Sequence, residues 1–456
     1  MSVKKSILIF LIFISSLVLI SCKKDVISDS DKIILDFWTS YNNEELKVFR
    51  EMIIPFEREY KAKTGKSLEI RLSRVPFDGL LPKLKLSTQA GTTPDICRVD
   101  CAHVVPLAFG QALYSLDQLS NFKGTIKEYR EKFIKAAIDS NIISVPVKGK
   151  WQDHLFGIPD QTNCVVLYRN QQIFRQRSSA LRKAGLDPFR GPKNWNEFIE
   201  YSKALSDPDN NIYAFGMNNS LWWAFPFFNT HGVKFVSKDL KTQKFFCSLD
   251  SPQGIAALKF RNDLYRKTYE VNNKKVRIEG GAWQSGGKNP DQGFKNNLYA
   301  MVMSGPWSLK DYRNSGLDFA VSTIPEGPVG SSSSVGGTNL VIFKSCRYPQ
   351  LAFDFLQFIT STDFQVEWCT KLGQIPVTID AYDKIDLTGK AELKVFYDQM
   401  LTTQARPRLP QYDLLEEIIN PEMELALKGA KTDEQALKTA VDEINKRVMS
   451  LVNEDI

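Results

Sequence analysis

The chain has 456 residues, of which 24% are charged and 43% hydrophobic, and a formal net charge of +7. It is long enough for two lobes of ordinary size, and it carries no dense basic block of the kind that grips nucleic acid. Its three histidines, His103, His154 and His231, fall in no zinc-hydrolase spacing, and no Gly-x-Ser-x-Gly nucleophile elbow occurs, so neither an enzyme nor a cofactor is implied.

The N-terminus reads as an export signal. Lys4 and Lys5 precede the apolar run 7–14, which is broken at Ser15-Ser16 and resumes over 17–20 before Ser21-Cys22. A basic start, a short apolar stretch and small residues at the cut describe a cleaved signal; the run is too short and too interrupted to span a bilayer. Leu19-Ile20-Ser21-Cys22 resembles the bacterial lipobox, which implies lipidation of Cys22. Residues 1–22 are therefore the expected signal and 23–32 a polar tether, with the acyl chains holding the domain at a membrane. Loss of Lys4 and Lys5 with the signal brings the formal charge to +5. Six cysteines remain at irregular spacings: Cys97, Cys101, Cys164, Cys247, Cys346 and Cys369. They read as buried free thiols, with a Cys97–Cys101 pair as the alternative.

Residues 33–120 have a βαβαβ pattern. An apolar run ends at Trp38. Asn42 or Asn43 then caps a helix whose Leu46, Phe49, Ile53, Phe56 and Tyr60 make one stripe, kinked at Pro55 and closed by Gly65. Leu68, Ile70 and Leu72 alternate as a second strand, and a third ends at Asp100. Asn194 and Glu197 suit a helix start, as do Thr432 and Gln435 before the last amphipathic stripe. The stretch 212–235 is crowded with aromatics that belong in a core. Trp222 and Trp223 are adjacent, so one is expected inside and the other as a stacking platform. The loop 280–287 carries Trp283; it lacks the residues of a phosphate loop.

The stretch 293–307 organises the rest. Ala300 to Met303 reads as a buried strand, and Ser304-Gly305-Pro306 turns sharply, either to present Trp307 at the mouth of a cleft or to seat it as a core residue under the turn. Ligands of open α/β sheets bind beyond the carboxyl ends of strands.

This Ala-Met run before Gly-x-Trp resembles the signature of the bacterial family 1 extracellular solute-binding proteins, the maltose-binding-like receptors of ABC sugar importers. Other motifs of that family follow in order. They include Gly91-Thr92-Thr93-Pro94-Asp95, Phe156-Gly157-Ile158-Pro159, Pro192 to Phe198, the Gly-Gly before Leu340 to Phe343, Ser361 to Gln365, and Ile375-Pro376-Val377. Arg169 departs from the pattern, where a second Tyr is common. The resemblance implies an α/β two-lobe periplasmic-binding-protein fold with an interlobe ligand cleft and three crossover segments. Lobe one is expected over 33–160 plus 325–360, and lobe two over 161–324 plus 361–456. A sugar wants indole faces for its C–H side and polar groups for its hydroxyls. The matched positions imply faces from Trp38, Trp222 or Trp223, Trp283 and Trp307. The polar set is Asn43, Glu44, Asp100, Asn163, Arg408 and the backbone at Gly337. The implied partners are a carbohydrate, the permease subunits of an importer and a membrane reached through the lipid anchor. The implied place is outside the cytoplasm, as a monomer. A receptor for a charged solute such as a glycerol phosphodiester is the alternative; a surface-anchored glycosidase is a lesser one, since paired carboxylates can be far apart in sequence.

Overall fold

The structure is a computed structural model that describes residues 32–454 apart from 148, 149, 272 and 410. The signal, Cys22 and all but the last residue of the tether lie outside the described residues. In chain order the strands are β1 (Lys32–Thr39), β2 (Ser67–Arg74), β3 (Ile96–Asp100), β4 (Ile142–Val147), β5 (Lys150–Leu155), β6 (Gly157–Asn163), β7 (Val166–Asn170), β8 (Tyr213–Gly216), β9 (Val236–Lys238), β10 (Phe245–Cys247), β11 (Thr268–Val271), β12 (Lys274–Arg277), β13 (Tyr299–Ser304), β14 (Phe319–Ser322) and β15 (Gly336–Ile342). They form two main sheets, ordered β2-β1-β3-β15-β6 and β14-β7-β13-β8. The pairs β4–β5, β9–β10 and β11–β12 are separate two-stranded sheets.

Each main sheet is the centre of one lobe. In the first, β1 runs parallel to β2 and β3, while β15 enters antiparallel between β3 and β6. Alternation sends Ile33, Leu35 and Phe37 into one core and Cys97, Val99 and Val341 into the core on the opposite face. In the second, β13 is antiparallel to β7 and parallel to β8. Its six residues are all buried, as the apolar run predicts. The chain passes between the lobes three times: at 163–166, between Ser322 and Gly336, and between Lys384 and Ala391.

The expected helix after β1 spans Asn43–Thr64 and is continuous across Pro55. Asn42 is its cap: the side chain accepts from the Glu45 N–H, and Glu45 reciprocates to the Asn42 N–H. Gly65 closes it in the left-handed conformation at φ 73°. Thr432 and Gln435 make the same reciprocal cap. Asn194 caps its helix, but the Glu197 carboxylate turns to Arg190 at 2.6 Å and to the Lys193 N–H rather than back to Asn194. All six cysteines after Cys22 are buried free thiols. Burial pushes the Cys101 thiol up to about 12.

One lobe boundary differs from the sequence reading, which gave all of 361–456 to the second lobe. Helix Thr362–Leu372 buries Phe364, Trp368 and Cys369 in the first lobe's core, and Val377 and Ile385 follow it there. The Trp368 ring lies 5.3 Å from that of Tyr41 and 5.7 Å from that of Phe49. An apolar stripe says that a helix is buried; it does not say against which sheet. Likewise β6 runs to Asn163 within the first sheet, past the expected boundary at 160.

The floor of the first lobe is a buried ion pair. The β6–β15 register shifts at Thr338/Asn339, which leaves Asp160 as an extra residue in β6. Its carboxylate accepts from Arg98 Nε at 2.8 Å, from the Tyr41 hydroxyl at 2.8 Å and from Thr338 Oγ1 at 2.7 Å. Arg98 spends its other nitrogens on Ser40 Oγ at 2.8 Å and on Gln161 Oε1. The two side chains are only 5% and 4% exposed. Burial opposes the charge on Arg98, but Asp160, together with Tyr41 and Glu45, outweighs it and holds the guanidinium above its ordinary value. Asp160→Ala should leave Arg98 buried without its counterion, a loss of about 3–5 kcal/mol. Chemical denaturation of the ligand-free protein measures it; a change under about 1 kcal/mol, the scale of an exposed pair, would contradict this account.

Candidate functional site

Between the lobes lies a groove made of two adjoining hollows of about 440 and 610 Å³. Asn42, Glu45, Gln161, Asn163 and Trp307 border both. The first sheet supplies the polar edge. Asp100 ends β3, its carboxylate held by the Ala102 N–H at 2.8 Å and by Arg406 at 3.2 Å. Burial works against the charge on Arg406; Asp100, together with Cys101, Tyr412 and Glu416, outweighs it and keeps the guanidinium above its usual range. Gly337 opposes Thr162 at φ 119°, where a side chain would be strained, and a Cβ would meet the Gln161 carbonyl at 2.2 Å.

The second lobe supplies the aromatic wall. Trp307 follows β13 at the start of helix Ser308–Asn314 and is 48% exposed. Its ring folds back over Gly305, where a Cβ would sit 2.0 Å from it. The Gly305 carbonyl is in turn held by the Tyr168 hydroxyl at 2.7 Å. Trp222, on helix Leu221–Thr230, stands beside it with ring centroids 6.0 Å apart. Its indole N–H is buried without a partner among the described residues. Trp223 turns its ring edge-on to Trp222 and packs on the second lobe's core. Of the adjacent pair, Trp222 is therefore the one at the groove.

The sequence-expected residues divide. Glu44, Asp100, Asn163, Trp222, Trp307 and Gly337 border the groove. Five others lie off it. Trp38 follows Phe37 on β1, so alternation turns its ring to the other face of the sheet, beneath Lys83 Nζ at 3.9 Å. Asn43 is an exposed first-turn residue, because Asn42 takes the cap and the groove position. Trp223, half-buried like its neighbour, packs on the second lobe's core and does not border the groove. Trp283 packs edge-on against Tyr265 at 5.3 Å. Arg408 donates to the carbonyls of Ile142 at 2.6 Å and Asp139 at 3.4 Å, behind the hinge; Arg406, two residues earlier, is the arginine at the groove.

Several groove residues escaped the sequence reading. Ser40, Glu45, Gln161 and Thr338 are ordinary polar residues until the sheet assembles. Phe77 begins helix Phe77–Ala90 after Pro76 and is 51% exposed on the first-lobe side of the hollow that Trp222 and Trp307 border. Nothing in the sequence marks it: with Leu80 and Leu81 three and four residues on, it reads as one more position of an apolar helix stripe. Lys310 and Glu44 meet across the mouth at 3.1 Å, both exposed, a link between lobes of little intrinsic strength.

The profile of the bacterial extracellular solute-binding proteins matches residues 56–395. The chain belongs to that family. As a solute-binding protein it is similar to the sn-glycerol-3-phosphate-binding periplasmic protein UgpB of Pectobacterium atrosepticum, 26% identical over 70% of this chain and 73% of that one. Among solved structures, the ABC transporter solute-binding protein of Thermotoga lettingae, bound with α-D-tagatose, is 25% identical with a TM-score of 0.64, covering 91% of this chain and 99% of that one. The sugar-binding protein MalE of Xanthomonas citri shares the fold at a TM-score of 0.72 and 20% identity, covering 92% and 98%. The two-lobe architecture expected from sequence is thus that of this family. Family and neighbours alike are binding proteins.

Two substitutions test the groove of this solute-binding protein. Trp307→Ala should weaken ligand by about tenfold or more, about 1.4 kcal/mol. It should lower ligand-free stability by less than the about 3–5 kcal/mol of a core tryptophan, as calorimetric titration and denaturation would measure. Phe77→Ala should weaken the same ligand by several-fold with almost no change in stability; equal affinity would place Phe77 outside the site.

Proposed function

We propose that this protein is the lipid-anchored receptor of an ABC importer, and that it captures a sugar or oligosaccharide between its lobes for delivery to the permease. The observation that carries the reading is the wall of Trp222 and Trp307 facing the polar edge of Asn163, Asp100 and Gly337. Indole faces suit the C–H side of a pyranose, and carboxylates and amides suit its hydroxyls in pairs. Arg98 and Arg406 reach this hollow already matched by Asp160 and Asp100, so this end favours a neutral ring. A ligand held from both lobes would favour the closed form through its higher affinity for it, and the permease would read that form as loaded. The tagatose-bound Thermotoga neighbour supports a sugar as the cargo.

A receptor for a glycerol phosphodiester is the second reading, favoured by the similarity to a glycerol-3-phosphate-binding protein. A thermal-shift screen separates the two, since a ligand bound only by the native state raises the melting temperature, with about 2.7 kcal/mol of stabilisation at a hundredfold excess over Kd. Mono- or oligosaccharides should give the shift; a shift from glycerol phosphodiesters alone would replace the sugar reading.

The anchor has its own test. The order Lys4-Lys5, apolar run, Leu19-Ile20-Ser21-Cys22 motivates it. Cys22→Ala should move the protein into the soluble fraction, read by fractionation and by loss of fatty-acid labelling. An unprocessed variant that stays in the membrane would mean a plain membrane segment instead.

A further inference from the structure

The two hollows of the groove differ in charge. In the smaller one, each arginine has its own buried or half-buried carboxylate. The larger is bordered by Lys310, Arg313, Lys371 and Lys390 against only Glu44 and Glu45. Both acids are engaged: Glu45 accepts from the Asn42 N–H and from Gln374 Nε2 at 2.7 Å, and Glu44 meets Lys310. The carboxylates that pair Arg313 and Lys371 are Glu392 and Glu367, neither of which borders the hollow. Lys390 has no ion pair among the described residues and stands half-buried. The hollow therefore faces inward with a surplus of cations. A cleft lined by one sign of charge concentrates ions of the other.

We infer that the ligand is a sugar carrying an anionic substituent, its ring stacked at Trp222 and Trp307 and its anion seated in the larger hollow among Arg313, Lys371 and Lys390. This rests on the sugar reading above. The shared chemistry is a carboxylate or sulfate ester on a glycan of two or more rings, since the two hollows adjoin and share Trp307. Arginine and lysine donate charge-assisted bonds to such groups. A neutral oligosaccharide would leave Lys390 with nothing but water, and Arg313 and Lys371 with only the carboxylates outside the hollow.

The test is calorimetric titration of the wild-type protein with matched probes at low and high salt. One arm sets trigalacturonate against its methyl-esterified, uncharged form. The other sets a sulfated neocarrageenan tetrasaccharide against its desulfated, neutral form. In at least one arm the anionic member should bind about tenfold or more tighter, the scale of one charged hydrogen bond. The preference should shrink as salt rises. In the double variant Arg313→Gln, Lys390→Gln the ratio of anionic to neutral affinity should fall by about the same factor. Neutral probes binding as tightly as anionic ones would overturn the inference and leave the sugar receptor standing. Binding of a glycerol phosphodiester with no glycan binding at all would overturn both. A preference for the anionic glycan that survives the double variant unchanged would also overturn the assignment of this hollow.

Discussion

A carboxylate and a guanidinium placed side by side out of water are tolerable only if their remaining hydrogen-bonding atoms are also met. Asp160 and Arg98 satisfy that condition with partners from Ser40, Tyr41, Gln161 and Thr338. Those partners come from the corner after β1, from β6 and from β15. A single extra residue in β6 thus fastens three non-consecutive pieces of chain at the point where the first sheet meets the groove. The polar edge that faces the ligand is built on this knot, so it is stiff by construction. What is left to move is the set of three crossings between the lobes, and hinge motions of this kind absorb their change in a few connecting residues.

The groove uses charge in two ways. Near the knot, each cation is neutralised by a carboxylate at about the same depth, and such groups offer directional hydrogen bonds without a net field. At the other end, the carboxylates that pair Arg313 and Lys371 lie outside the hollow, and Lys390 has no ion pair among the described residues. The tryptophans stand between the two regions, and Trp307 borders both. Its position depends on small decisions: a glycine at 305 that lets the ring lie flat on the backbone, and a tyrosine hydroxyl that fixes that backbone. An exposed indole would ordinarily cost little to move. Here it is held in place before any ligand arrives, which lowers the ordering cost of binding.

Much of this was legible in the sequence wherever a local rule decided it. A cap at Asn42 or Asn43, the stop at Gly65, the alternation of Leu68, Ile70 and Leu72 and the buried strand before Trp307 all follow from side-chain chemistry within a few residues. The family resemblance gave the two lobes and placed Glu44, Asp100, Asn163 and Gly337 at the groove. The failures have a common origin. Trp38 is one residue from Phe37, and one residue is the difference between the two faces of a strand. Arg406 and Arg408 share the phrase Arg-Pro-Arg, and only the folded positions of Asp100 and of the Asp139 and Ile142 carbonyls tell them apart. The helix at Thr362–Leu372 shows an apolar stripe that fits either lobe. Phe77 was invisible because its partners across the groove are more than a hundred residues away.

The place of β15 in the first sheet has a consequence for the order in which the molecule can form. The strand sits between β3 and β6, and it starts at Gly336. Until that segment exists, β6 has no neighbour in the sheet, and Thr338 is missing from around Asp160. The first lobe cannot therefore be completed by the residues synthesised first; it waits for most of the chain. Pairings this distant in sequence are slow to form, because loop-closure entropy is spent before the contacts reward it.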